Sequence, residues 1–191
     1  MIFQKLLQPL THILQVPGKQ IGPKFAHTFN YWLKVPENKR IMVRDIAGMF
    51  RYAFILMDDI QDNSTLRRSI PAAHTIYGVA STTSAANCLI LRGLKIAQSL
   101  NHPEAMKVCT ERLLQMYWGQ GLEIYWRDNY ICPSFEEYKE MAKRKAGEYI
   151  MCEVAPLQLL SDNKVDFTRL AGILGQYFQI RDDYCNLCME Q

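Results

Sequence analysis

From Pro36 onward, Ile41, Met42, Ile46, Met49, Phe50, Ala53, Phe54, Met57 and Ile60 recur at steps of three and four residues. That period lines one face of a helix, predicted to run from Pro36 to Asp62. Pro17-Gly18, Pro36, Pro71, Gly78, Pro103 and Pro133 punctuate the chain between such stretches rather than within strands. Further helices are expected over 79–100, 103–129, 133–160 and from 165 to the end. Ser134 and Glu137 have the spacing of a capping box that opens the fourth of the five. No sustained period-two stretch bounded by hairpin turns occurs, so the expected fold class is all-α, without a sheet.

Composition narrows the classes of function. Of the 191 residues, 49% are apolar or aromatic, which suits one globular domain over 1–191 rather than a disordered chain. The net charge of +3 is too small and diffuse for nucleic-acid binding. The longest apolar or aromatic run is six residues, Tyr52 to Met57, against the roughly 20 needed for a membrane span. Six cysteines lie scattered through apolar or helical stretches, pointing to a reducing, cytoplasmic setting. Cys185 and Cys188 make a lone C-x-x-C that reads as redox-active or half a zinc site only if a second ligand pair exists, and none follows. Lys5, Lys19, Lys24 and Lys34 precede the first acid, Glu37, leaving 18 basic against 19 acidic groups in the rest. This front segment lacks arginine and serine, so it is expected to fold as a helix pair presenting lysines rather than serve as a transit peptide.

The chemistry lies in two acidic clusters. Asp58-Asp59-Ile60-Gln61-Asp62 ends the Pro36 helix, and Asp182-Asp183-Tyr184-Cys185-Asn186 lies near the end of the last one. Residues four apart share a helix face, so Asp58 projects with Asp62 and Asp182 with Asn186. Crowded carboxylates destabilise a helix end unless cations neutralise them, and hard oxygen ligands suit magnesium. Magnesium keeps positions for phosphate oxygens, so two such clusters facing each other across a bundle could hold a diphosphate. One cluster alone reads equally well as a solvated helix end. Arg67 and Arg68 follow the first cluster, and paired guanidinium forks suit diphosphate oxygens, although a surface pair is the ordinary alternative.

The run Asp58 to Arg68, DDIQDNSTLRR, resembles the first aspartate-rich motif of the trans-prenyl diphosphate synthases, and FQIRDDYCNL, Phe178 to Leu187, resembles their second. The similarity is strongest to the animal geranylgeranyl diphosphate synthases. It extends through VPGKQ (16–20), YWLKVPE (31–37), AHTIYG (73–78) and GQGLEIYWRDNY (119–130). The resemblance implies an all-α isoprenoid synthase bundle around a deep apolar cavity, homodimeric or otherwise homo-oligomeric. It also implies magnesium-dependent ionisation of an allylic diphosphate, with three metal ions, and attack on the cation by isopentenyl diphosphate. By position, Asp58, Asp59, Asp62 and Asp182 would bind magnesium, supported by Asp183 and Asn186. Arg67 and Lys145 would hold the allylic diphosphate, Gln179 would line the cavity near the cation, and Lys19 and Arg68 would serve isopentenyl diphosphate. Phe54, one turn before Asp58, would shorten the cavity towards a C10 to C15 chain, unless it is ordinary core packing.

Departures from the family pattern cluster around the second substrate. The expected G-K-x-x-R reads Gly18-Lys19-Gln20-Ile21-Gly22, and a histidine expected seven residues before the first aspartate is Arg51, a candidate replacement for the missing cation. Ala146 follows Lys145 where threonine is usual, and Glu123 stands in place of Asp. Such losses suit a terpene synthase derived from a prenyl diphosphate synthase, which would convert an allylic diphosphate to a hydrocarbon or alcohol without isopentenyl diphosphate. Five residues follow Asn186, so the bundle is expected to be incomplete at its C-terminus. That raises a third alternative, a non-catalytic subunit of a full-length synthase.

Overall fold

The computed structural model describes residues 2–188. Ten α-helices carry the fold: α1 (Ile2–Leu6), α2 (Gln8–Ile13), α3 (Ile21–Leu33), α4 (Glu37–Gln61), α5 (Ala73–Tyr77), α6 (Val79–Gln98), α7 (Ala105–Asp128), α8 (Phe135–Ala142), α9 (Glu148–Leu159) and α10 (Thr168–Cys188). The all-α class read from the periodicity holds. The apolar stripe of α4 buries Ile46, Phe50, Ala53 and Phe54, and Met42, Met49 and Met57 pack against it from partly exposed positions. One core joins α3, α4, α7 and α9 through Phe29, Phe50, Met116 and Leu157, while Ile13, Leu56 and Leu89 anchor a second between α2, α4 and α6. Each fully buried side chain of this size contributes roughly 1.5–3 kcal/mol of transfer free energy.

Two departures from the expected plan bear on function. The segment after α4 forms a short antiparallel ladder, β1 (Leu66–Arg67) with β2 (Ile70–Pro71), where no sheet was expected. Its two connecting residues, Arg68 and Ser69, have φ of 55° and 64°, the positive values at both central positions that a type I′ hairpin turn requires. Two-residue strands leave no periodic trace in sequence, which is why this hairpin escapes a pattern search.

The second departure interrupts the helix expected over 133–160. Ser134 and Glu137 do form the capping box that starts α8, but a π-helical turn, Lys143–Gly147, separates α8 from α9. Glycines on the neighbouring helices explain its seat. A β-carbon on Gly119 of α7 would lie 2.6 Å from the Lys145 backbone nitrogen, and one on Gly175 of α10 would lie 2.1 Å from that of Gly147. The widened turn is therefore gripped between two helices at backbone contact, and it carries Lys145. π-Turns inside α-helices occur frequently at functional sites.

Candidate active site

The end of α4 concentrates negative charge. Asp59 is buried and Asp58 half-buried, whereas Asp62, capping the helix, is exposed. Cations from three other elements meet them. Arg67 on β1 donates from Nε to Asp59 Oδ1 at 2.7 Å and from its terminal nitrogen to Asp58 Oδ2 at 3.1 Å. Lys145 lies 3.4 Å from Asp58 Oδ1 and donates to Glu123 on α7. Arg127, also on α7, donates to Asp62 at 3.0 Å.

Burial, only partly offset by Arg67, pushes the Asp59 carboxyl above the usual carboxylate range. Partial desolvation and the Asp58 charge do the same for Asp62, although its side chain is 35% exposed. Lys145 stays firmly protonated because Asp58 and Glu123 outweigh its own desolvation. Asp59 Oδ2 is buried without a hydrogen-bond donor, and Asp58 Oδ1 faces only the Lys145 ammonium, at ion-pair distance. Unsatisfied, crowded carboxylate oxygens are a fitting donor set for a hard divalent cation. Among the described residues, no three His, Cys, Asp or Glu side chains converge on a point, so a cation held there would complete its shell with ligand oxygens and water, as magnesium does.

Helix α10 brings the second cluster to the same place. Asp182 lines a cleft of about 290 Å³ together with Asp58, Arg67, Lys145 and Gln179, while Phe54, Ile150 and Phe178 give it an apolar wall. Phe54 stacks edge-on against Tyr117, with centroids 5.8 Å apart. Burial raises the Tyr117 phenol to about 12, and its hydroxyl is buried without a hydrogen-bond partner among the described residues. Asp183 turns towards α8, accepting from Tyr138 Oη at 2.5 Å and from Gln179 Nε2 at 3.0 Å. Asn186 is exposed and lines neither this cleft nor its neighbour.

The adjoining cavity, about 450 Å³, shares Lys19, Arg67, Tyr149 and Asp182 with the first and adds Arg51 and Arg68. Its cations differ in commitment. Arg68, aimed by its positive φ, donates to Val16 O at 2.6 Å across Gly18, where a β-carbon would lie 2.6 Å from the guanidinium. Arg51, expected as a replacement cation, meets Glu153 of α9 instead. Lys19 makes no ion pair among the described residues.

Sequence reasoning thus singled out Asp58, Asp182, Arg67, Lys145, Gln179, Phe54 and Lys19, which the fold gathers around one cleft. It missed Arg127, Tyr138 and Glu153, each of which acts across a long sequence separation. The lone acid within the apolar run Tyr149 to Leu157 offered a signal, and Arg127 lies inside the quoted run 119–130, but neither signal names a partner. All six cysteines are free thiols, and among the described residues no helix is long and apolar enough to cross a membrane.

Known proteins sharpen this picture. A family profile described as polyprenyl synthetase matches residues 3–191. The chain is 58% identical over 188 residues to a terpene synthase of Matsumurasca onukii, covering 98% of this chain and 62% of that protein. It is 42% identical over 182 residues to a geranylgeranyl pyrophosphate synthase of Mucor circinelloides, covering 95% and 60%. For a geranylgeranyl pyrophosphate synthase of Aspergillus flavus the figures are 44% identity over 179 residues, 94% and 53%. The chain therefore spans a little over half the length of the curated relatives it matches.

Proposed function

The chain belongs to the polyprenyl synthetase family, and from that premise we propose that its cleft binds an allylic prenyl diphosphate, ionises it with magnesium and joins the allylic carbon to isopentenyl diphosphate, which loses a proton as pyrophosphate leaves. The observation that carries this reading is a single cleft in which Asp58 from α4 and Asp182 from α10 share a wall with Lys145, above Phe54, Ile150 and Phe178. Asp58, Asp59, Asp62 and Asp182 are the residues that would hold magnesium, the family resemblance implying three ions with the diphosphate. When bound, magnesium would supply charge neutralisation for the diphosphate as the carbon–oxygen bond breaks. Arg67 and Lys145 hold and orient the diphosphate, and both are already aimed at the acidic helix end. The apolar wall receives the prenyl tail and excludes water that would capture the cation. Gln179, tethered to Asp183, presents its amide dipole to the same cleft. Lys19 and Arg68 serve the diphosphate of isopentenyl diphosphate in the adjoining basic cavity.

A second reading has its own support: conversion of the allylic diphosphate to a hydrocarbon or alcohol without isopentenyl diphosphate. The pairing of Arg51 with Glu153 weakens the basic cavity, and the relative at 58% identity is a terpene synthase. Incubation with geranyl or farnesyl diphosphate and magnesium, with and without isopentenyl diphosphate, separates the two. A longer prenyl diphosphate formed only with both substrates supports transfer. Volatile products formed without the second substrate support the alternative, and absence of any diphosphate release defeats both.

The exposed Leu114, Trp118 and Tyr125 fall on one stripe of α7, with Leu91 exposed on neighbouring α6. An apolar stripe of this kind supports a homo-oligomer, with these rings in a subunit contact rather than in the core.

A further inference from the structure

Of the four cationic side chains around the basic cavity, Arg51 is the one that pairs with a carboxylate outside both acidic clusters. Its guanidinium contacts Glu153, and the two side chains are only 11% and 1% exposed. The Tyr149 ring, one turn before Glu153, lies 5.2 Å from the guanidinium carbon. Gly22, at the start of α3, closes the third side: a β-carbon there would come within 2.2 Å of an Arg51 nitrogen and 2.8 Å of Glu153 Oε1. The guanidinium thus fills the volume that a side chain at position 22 would need. Three elements, α3, α4 and α9, converge on one buried ion pair.

Arg67 and Arg68 are bound differently. Arg67 pairs with Asp58 and Asp59, the carboxylates proposed above to pass to metal. Arg68 donates to a neutral backbone carbonyl and so keeps its full charge in the cavity. Glu153 belongs to neither acidic cluster and lines neither cavity. Drawing Arg51 away to grip a ligand would strand a fully buried carboxylate, an arrangement that proteins strongly resist.

We infer that Glu153 determines specificity: it withholds the Arg51 charge from the basic cavity, leaving Lys19 and Arg68 to attract any second diphosphate. This rests on the reading above that the basic cavity is where such a group would enter. Glu153 is a positioning residue, because it would act on ligand only through Arg51.

Calorimetric titration with isopentenyl diphosphate and, separately, inorganic pyrophosphate tests this, with EDTA present so that no metal bridges the anion to the acidic cluster. Glu153→Gln frees the Arg51 charge and is expected to tighten binding on the order of tenfold. Arg51→Met combined with Glu153→Met removes both charges and is expected to stay within about threefold of the wild type, since apolar replacement of a buried pair is well tolerated. Unchanged affinity in Glu153→Gln overturns the inference. Should that variant fail to fold, the double variant decides: a tenfold loss means that Arg51 grips the ligand directly and overturns it, whereas wild-type affinity supports it. Lys19→Met separates this outcome from failure of the reading beneath it, because no effect of Lys19→Met on binding would mean that the cavity does not take the diphosphate at all. A gain for both probes assigns recognition to the diphosphate, and a gain for isopentenyl diphosphate alone adds the prenyl tail.

Discussion

Gly175→Ala tests whether the crossing of α10 over the π-turn sets the geometry of the cleft. The added methyl would sit 2.1 Å from the Gly147 nitrogen and 2.2 Å from its α-carbon, where ordinary contact begins at 3.4 Å. Both are backbone atoms that no side-chain rotation can clear, so α10 must retreat by more than about 1 Å. Phe178, Gln179 and Asp182 follow at three, four and seven residues, on the same face of α10, whereas Lys145 stays with the π-turn. Overpacking of this kind costs about 1–3 kcal/mol, and a domain of this size loses roughly 2–4 °C in Tm per kcal/mol. A displacement near 1 Å between catalytic groups lowers turnover about 100-fold. The assay pairs thermal melting by circular dichroism with magnesium-dependent pyrophosphate release from geranyl and farnesyl diphosphate. Gly48→Ala on α4 is the control, because a β-carbon there meets nothing within 4 Å, and it is expected to melt at or slightly above the wild-type temperature. Wild-type melting and turnover in Gly175→Ala would mean that this crossing does not set the geometry of the cleft.

Two further substitutions probe single side chains. Phe54→Ser opens the apolar wall opposite Tyr117 and is expected to shift product or preferred substrate towards longer chains by mass spectrometry; an unchanged length distribution would remove Phe54 from the floor of the cleft. Tyr138→Phe deletes the hydroxyl that donates to Asp183 and is expected to raise the magnesium concentration for half-maximal rate about tenfold, the order expected for a hydrogen bond to a charged acceptor, with Tm nearly unchanged. An unaltered metal dependence would make Tyr138 merely structural.

How much was legible in the sequence follows from the range of each interaction. The course of α4 and the start of α8 depend on neighbours within four residues, so periodicity and the Ser134–Glu137 spacing revealed them. The acidic helix ends were legible for the same reason, since Asp58 and Asp62 share a face wherever their helix lies. The π-turn was not, because it exists only where Gly119 and Gly175 let two other helices touch it. Arg68 reads as one half of a basic pair, yet its hairpin turn swings it onto the Val16 carbonyl. Arg51 reads as a spare cation until Glu153, 102 residues later, is found against it. Local pattern identified the charged groups; tertiary pairing decided which of those charges remain available.

Joint clamping of one diphosphate by the ends of α4 and α10, through divalent cations, is what the proposed chemistry requires. Its most direct measurement is metal-dependent pyrophosphate release from an allylic diphosphate by the wild type, Asp58→Asn and Asp182→Asn, each verified as folded. A loss of at least about 100-fold in both variants, partly recovered by raising magnesium, is the expected result. Release at the wild-type rate with either carboxylate neutralised, or undiminished release in EDTA, would contradict it.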